Sequence, residues 1–395
     1  MNRTAVPFLS LFLASLLLGS ADVSAHPGHP HEPTSRLHSD AADRGHDFGR
    51  DGQVSLAQAE VRDAATGVPA VSGQGDLTFR VLYTSSHLPA EAADAAVLTR
   101  AHGGFAVDRR PGKGEIYFAL PGAGIIEIGA DLSQTRLIAT PPEMKDTNMH
   151  NTSIWYATDG TPYLVFPGND IGKVFTTTIE GELVNILGAP TPGDNLDEPV
   201  VTVYFNENKK FVPTDVDELG GLYYITTGYS DLDYVLTAKI AGNKPMTITW
   251  NDLAFGGRGS GAGQFGTGHG ITITPDRSRV SVADRPNAEI DRFTRYGHYR
   301  DTVKLPEGSF PCDIDYVDEY AVVGCLHGPD RSKGAPIYIL KGDELVSTIM
   351  PKEELGLANF THIHNAVGVK IDGRLHIIAQ AWNPGDFAIL EQVAP

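Results

Sequence analysis

Short apolar runs separated by turns make up most of the chain after about residue 76. The runs are rich in Val, Ile, Tyr and Thr, which is typical of β-strands. Turn sequences such as Asp159-Gly160 and Asp372-Gly373 join neighbouring runs, as in hairpins. No long amphipathic helix pattern competes for the core, which disfavours an α/β fold. The pattern predicts an all-β chain of consecutive hairpins.

These runs belong to a unit that occurs six times. Each copy has a small or polar first position, two apolar runs joined by a turn, and a third, more amphipathic run. The first positions are separated by 48, 65, 54, 44 and 51 residues, which is the period of propeller blades with one insertion. We therefore predict a six-bladed β-propeller over residues 76–395. The first positions are His102, His150, Asp215, His269, Asp313 and His364.

The sixth unit ends at the C-terminal run FAILEQV and lacks an outer strand. Residues 77–84, LTFRVLYT, precede the first unit and are strongly strand-like. We expect this N-terminal strand to complete the sixth blade and close the ring. Closure removes the open sheet edge that would promote aggregation, and we expect a monomer.

The N-terminal 75 residues have a different pattern. Residues 1–25 have a short positive region, an apolar core and a Val23-Ser24-Ala25 cleavage site, which predicts a signal peptide and a secreted or periplasmic protein. An uncleaved membrane anchor is the alternative, although the apolar run is shorter than the roughly 20 residues of a span. Residues 26–75 predict a flexible leader, either a solvated linker or a loose Cu, Zn or Ni binder. Its histidines are His26, His29, His31, His38 and His46.

Charge excludes several partners. The chain has 31 Lys and Arg against 49 Asp and Glu, a formal net charge of −18. An acidic surface repels phosphate backbones and anionic lipid, and no basic stripe is present, so we expect neither nucleic-acid binding nor membrane insertion after signal cleavage. In an oxidising compartment the only two cysteines, Cys312 and Cys325, predict one disulfide across a hairpin, with a redox-active pair as the alternative.

The first positions of the six units predict a metal centre. Equivalent positions of propeller blades form a ring around the axis, and four of the six are histidine. His150, His269 and His364 lie in alternate units and can converge on one point. Three imidazoles with an open position suit Zn²⁺ or another divalent transition metal. His102 is expected to line the same mouth or to cap a strand.

The fourth unit carries a resemblance to a known family. It contains Gly263-Gln264-Phe265, His269 and the run VADRPNAEIDRF from Val282 to Phe293. These residues resemble an NHL-type propeller repeat, and more closely the peptidyl-α-hydroxyglycine α-amidating lyases. The resemblance implies a catalytic zinc on His150, His269 and His364, and an acid/base role for Tyr229.

The resemblance also has gaps. It implies a structural calcium held by carbonyls near His102 and Asn151, but Asn365 replaces the family's aspartate, which disfavours Ca²⁺. The family's catalytic arginine falls where this chain has Ala119-Leu120-Pro121. Arg109, or its neighbour Arg110, would have to reach over the rim to replace it. A family methionine is replaced by His362.

Three function classes follow. The first is a metal-dependent lyase of the amidating type, or a relative with another substrate, acting on a small molecule or peptide in the central channel. The second is a metal-dependent hydrolase or lactonase, although such propellers use an axial Ca²⁺ on carboxylate and amide side chains. The third is a non-enzymatic propeller that binds a metal or ligand.

Overall fold

The computed structural model describes residues 54–55, 70–145, 147–208 and 210–393. The predicted signal peptide and most of the predicted leader lie outside these residues. The strands are β1 (Val54–Ser55), β2 (Ser72–Gln74), β3 (Leu77–Thr84), β4 (Phe105–Val107), β5 (Ile116–Leu120), β6 (Gly124–Ile128), β7 (Gln134–Ile138), β8 (Ser153–Tyr156), β9 (Pro162–Gly168), β10 (Lys173–Thr178), β11 (Leu183–Leu187), β12 (Asp215–Leu219), β13 (Leu222–Thr226), β14 (Tyr234–Ala241), β15 (Thr247–Gly256), β16 (Gly268–Ile273), β17 (Arg279–Asp284), β18 (Glu289–Thr294), β19 (Tyr299–Lys304), β20 (Phe310–Pro311), β21 (Asp315–Val317), β22 (Tyr320–His327), β23 (Ile337–Lys341), β24 (Glu344–Ile349), β25 (His362–Ile371), β26 (Arg374–Trp382) and β27 (Asp386–Gln392). The helices are α1 (Ala90–Ala93), α2 (Ala95–Leu98), α3 (Pro199–Asn208) and α4 (Pro351–Glu354), with 3₁₀ turns at Ser85–His87 and Pro142–Met144.

The strands form six antiparallel sheets, which confirms the predicted six-bladed β-propeller. In chain order the blades are β4–β7, β8–β11, β12–β15, β16–β19, β20–β24 and β25–β27. The innermost strands are β4, β8, β12, β16, β20 with β21, and β25. Each of the six predicted first positions lies in or next to one of these innermost strands.

The N-terminal strand closes the ring as the sequence predicts. Strand β3 pairs with β27, with Thr84 opposite Ala388 and Phe79 opposite Gln392. The sheets also begin earlier in the chain than residue 76. Strands β1 and β2 lie within the range assigned to the leader. Nevertheless, β1 pairs with β7 of the first blade and β2 pairs with β3.

Apolar packing between blades makes up the core. Each neighbouring pair of blades shares one cluster of buried side chains, and the sixth and first blades are joined in the same way as the others. Phe105 and Phe118 of the first blade, for example, pack on Phe387 of the sixth. The blades are therefore held side by side, and their inner strands are brought to a common axis.

The insertion between the second and third blades contains α3, whose Val201 and Phe205 are buried in the cluster shared by those blades. Among the residues that the structure describes, no helix is long and apolar enough to cross a membrane.

Strand β3 offers a direct test of ring closure. Phe79 is fully buried, whereas the neighbouring Arg80 points outward in an ion pair with Glu391. We predict that Phe79→Ala lowers the free energy of unfolding by about 3–5 kcal/mol because it leaves a cavity between blades. Arg80→Ala should cost no more than about 1 kcal/mol. Denaturant unfolding of both variants measures this, and equal, small effects would contradict closure by β3.

Candidate metal centre

Four histidines meet at the axis of the propeller. His269 lies in β16 and His364 in β25, and His102 and His150 lie just before β4 and β8. All four are buried. The ring centroid of His150 lies 4.5, 4.7 and 4.6 Å from those of His102, His269 and His364. The structure thus brings together all four histidines predicted for the metal centre.

Backbone carbonyls fix the tautomers of two of these rings. The Nδ1 of His150 is 2.7 Å from the carbonyl oxygen of Thr214, and the Nδ1 of His269 is 2.7 Å from that of Cys312. Because a carbonyl oxygen only accepts, both Nδ1 atoms must carry the hydrogen. The Nε2 atoms are then the unprotonated ring nitrogens, the form in which an imidazole ligates a metal. Histidine ligands of metals usually have such an outer hydrogen bond.

His364 completes this arrangement from the sixth blade. Its Nε2 lies 3.3 Å from the Nε2 of His150. Its Nδ1 is buried and has no hydrogen-bond partner among the described residues. Burial lowers the pKa of His364 well below its usual range, and the three neighbouring imidazoles lower it further. Burial likewise lowers the pKa of His269, with Arg285 and His150 adding to it. Neutral imidazole is the form that binds metal, so the residues fit a divalent transition metal.

His102 lies closer to the centre of the predicted metal site than the sequence analysis expected. One ring nitrogen each of His102, His150 and His364 lie within 4.8 Å of one another. His102 Nδ1 is held by the Asn148 side chain at 2.7 Å, and the ring stacks on Trp382. The trio that the structure brings closest therefore contains His102.

His269 faces a different partner, Tyr229. The phenol oxygen of Tyr229 lies 3.1 Å from the Nε2 of His269. Since His269 Nδ1 carries the hydrogen, the phenol donates to Nε2. Burial raises the pKa of Tyr229, although the Arg285 guanidinium counteracts it. The phenol is therefore protonated at neutral pH.

Arg285 is the site residue that the sequence reasoning missed. Its Nη1 donates to the Tyr229 oxygen at 2.5 Å and its Nη2 to Cys312 Sγ at 3.0 Å, while its Nε is buried without a partner among the described residues. The sequence feature that could have identified Arg285 is its position directly after β17, at the axial end of the fourth blade. A buried guanidinium without a carboxylate partner is a strong positive charge beside the phenol.

The loop that carries Tyr229 is held from two sides. Ser230 donates to the carbonyl of Lys210, and Asp231 accepts from Lys210 and from Tyr204 of α3. On the other side, Arg258 donates to the carbonyls of Ser230 and Asp231. The insertion therefore positions the phenol.

Arg109 is not brought to the histidines. Its guanidinium donates to both carboxylate oxygens of Asp315 at 2.8 Å and to the carbonyl of Gly368. Gly368 lies four residues beyond His364 on β25, roughly 13 Å along the strand. Arg110 is held by Asp108. The structure thus places Arg109 away from the predicted catalytic position.

A polar layer next to the histidines surrounds the axis. Asn365 donates to Asp313 at 2.8 Å, and Asp215 accepts from the backbone N–H of Ile271. Burial raises the pKa of Asp313 to about 7. An added Cβ at Gly104 would lie 1.4 Å from Asn151 Oδ1, so only glycine fits there. Calcium near this layer, which Asn365 disfavours, is implied only by the sequence resemblance.

The two cysteines are free thiols, so the predicted disulfide is not formed. The register explains why. Cys325 pairs with Pro311 instead of Cys312, and Cys312 is one position further along. Because side chains alternate, Cys312 turns towards Arg285, whereas Cys325 packs in the core between the fourth and fifth blades.

Comparisons with known proteins find distant structural neighbours. No known family and no curated protein matches the chain by sequence. Virginiamycin B lyase from Staphylococcus aureus is 14% identical, with a TM-score of 0.43, over 74% of this chain and 96% of that one. A streptogramin B lyase is 14% identical with a TM-score of 0.42, over 73% and 92%. A chain of a nidogen–laminin complex is 12% identical with a TM-score of 0.43, over 75% and 95%. Similarity this distant assigns no activity. The class is a six-bladed β-propeller with a buried histidine centre.

We predict that both thiols react only after unfolding, because burial raises the pKa of Cys312 and of Cys325 and hides them from reagent. Titration with a thiol reagent should give two thiols per chain in denaturant without reductant, and almost none under native conditions. A count of zero in denaturant would show that a disulfide forms.

We predict that a transition metal binds at the axis of the full chain. His364→Ala should lose about one metal ion per chain relative to the parent, because it removes one of the three ring nitrogens that lie within 4.8 Å of one another. His376→Ala, a buried histidine elsewhere in the sixth blade, is the matched control and should not change the count. Elemental mass spectrometry after metal loading measures this. Equal metal content in all three proteins would contradict an axial site.

Proposed function

We propose that the protein is an exported metal-dependent lyase of the peptidyl-α-hydroxyglycine amidating type, or a relative that cleaves another hydroxylated amide. The observation that carries the proposal is the chain of contacts from the histidine cluster through His269 to Tyr229 and Arg285. It joins a ligand set for a metal to a group that can move a proton. The N-terminal sequence supports a secreted or periplasmic location.

His102, His150 and His364 are the residues that would hold the metal, which the sequence resemblance suggests is zinc, and His269 joins them to Tyr229. When bound, such an ion supplies Lewis acidity towards an oxygen of the substrate. The remaining chemistry belongs to the protein's own residues.

Tyr229 is suited to relay the proton that this cleavage requires. In a carbinolamide the hydroxyl is on the carbon bonded to the amide nitrogen. The hydroxyl loses its proton, its oxygen forms a C=O bond, and the C–N bond breaks with its electron pair on nitrogen. The nitrogen then takes up a proton, so an amide and an aldehyde leave. A protonated phenol can donate to the departing nitrogen, and the phenolate can accept the hydroxyl proton.

Arg285 stabilises the phenolate during this relay. Its Nη1 already donates to the phenol oxygen, so no reorganisation is needed when the negative charge develops. Burial makes that charge interaction stronger than it would be in water. In this proposal Arg285 takes the place of the arginine that the first blade lacks.

The test is turnover of an N-acyl-α-hydroxyglycine to glyoxylate by the metal-loaded full chain. We expect Tyr229→Phe to lower kcat by about 10²–10⁴-fold, because the general acid/base is lost, with metal content unchanged. Tyr224→Phe is the control, since that buried phenol of the same blade bonds to the Arg295 carbonyl. Turnover of esters or lactones but not the carbinolamide would instead support the hydrolase. No turnover of either by the loaded protein would support a binding propeller.

A further inference from the structure

Three carboxylates share one face of the hairpin β17–β18 in the fourth blade. Asp284 is opposite Glu289, and Asp291 lies two residues further along β18, so strand alternation puts all three on the same face. All three are buried. One oxygen of each lies within 4.8 Å of the others. We call this group the blade-four carboxylate cluster.

The hydrogen bonds around the cluster leave one oxygen unsatisfied. Asp284 accepts from the backbone N–H groups of Gly266 and Thr267 and from the Asn287 side chain. Asp291 Oδ1 accepts from Thr302. The other oxygen of Asp291, Oδ2, is buried and has no hydrogen-bond partner among the described residues. An unsatisfied carboxylate oxygen in the interior is costly and calls for a ligand.

The charges around the cluster are also unbalanced. Lys304 pairs with Glu289, and its side chain is 72% exposed, so it reaches in from the outer edge of the blade. The same face packs on the third blade through Val282. From that blade the buried Asp233 lies near Asp284, and burial raises its pKa to about 8. One lysine therefore faces three buried carboxylates.

The titration of Asp291 agrees with this picture. Burial, together with the charges of Glu289 and Asp284, raises its pKa to about 7 against the opposing effects of Thr302 and Lys304. Near neutral pH the carboxylate is thus held in an unfavourable environment, which a cation would relieve.

We propose that Asp284, Glu289 and Asp291 bind a divalent cation with a preference for oxygen ligands, with Ca²⁺ as the best fit. Oxygens separated by up to 4.8 Å can surround Ca²⁺ at about 2.3–2.6 Å, whereas Mg²⁺ requires about 2.0–2.1 Å. The ligands are carboxylates, so this site differs in chemistry from the imidazole centre on the axis. Its effect is structural, because it joins β17 and β18 where the fourth blade packs on the third. It is independent of the proposed lyase activity.

The experiment is calorimetric titration of the chelator-treated full chain with CaCl₂, alongside thermal unfolding with and without Ca²⁺. We expect binding at one site and a rise in Tm, with MgCl₂ weaker. Asp291→Asn should lower the Ca²⁺ affinity at least about tenfold, since it removes a ligand charge. Asp343→Asn, an exposed partner of Arg292, is the matched control and should bind as the parent does.

Two further variants locate the site. His364→Ala and Asp313→Asn should keep the Ca²⁺ response. This result would show that the ion binds neither at the axial histidines nor at the polar layer next to them. Lys304→Met should bind Ca²⁺ more tightly than the parent, because it removes the competing cation from an exposed position. A gain of affinity cannot arise from misfolding, so this result supports the site even if Asp291→Asn does not fold.

Other outcomes would overturn the proposal. Absence of Ca²⁺ binding by the parent would do so, and a higher Tm for Asp291→Asn without Ca²⁺ would then show that a shared proton balances the cluster. Undiminished binding by folded Asp291→Asn would place the ion elsewhere. Loss of binding in Asp313→Asn alone would assign it to the axis.

Discussion

Apolar packing between blades is the interaction on which the rest of the structure depends. Each blade alone is a small sheet with two apolar faces, and neither face is satisfied until a neighbour covers it. Six clusters cover all of these faces, and the cluster between the sixth and first blades is completed by Leu82 and Tyr83 of β3. The closed ring then sets where every inner strand ends. Residues that are far apart in the chain, such as His102 and His364, meet at the axis for this reason.

Burial of the axis explains why this centre uses imidazoles. Neutral rings can be buried at modest cost provided that their nitrogens are bonded, and carbonyls of neighbouring blades provide those bonds for His150 and His269. A carboxylate in the same place carries a larger penalty, as the raised pKa of Asp313 indicates. The buried Arg285 beside the histidines lies against groups that it can stabilise, a phenol and a thiol. In this position Arg285 partly offsets the burial that raises the pKa of Tyr229.

The fold could be predicted from the sequence because it depends on repetition. The spacing of the units located the inner strands, and the strand-like run at residues 77–84 identified the strand that closes the ring. The four histidines were found by the same reasoning, since equivalent positions of a repeat share the axis. Contacts that depend on the length of a side chain or on strand register could not be predicted from repeat spacing. Arg285 reaches Tyr229 of the preceding blade, and a one-residue difference in pairing separates Cys312 from Cys325.

The pairing of β3 with β27 has a consequence for the way the chain is made. Arg80 and Glu391, which face each other across that pair, are 311 positions apart. A nascent chain therefore carries five finished blades and two open edges until its last strand has been synthesised. Such contacts are slow to form because a long loop must first close. Only a chain that includes β27 can pair both edges. A chain truncated before β27 keeps two unpaired edges and exposes them to other protein chains.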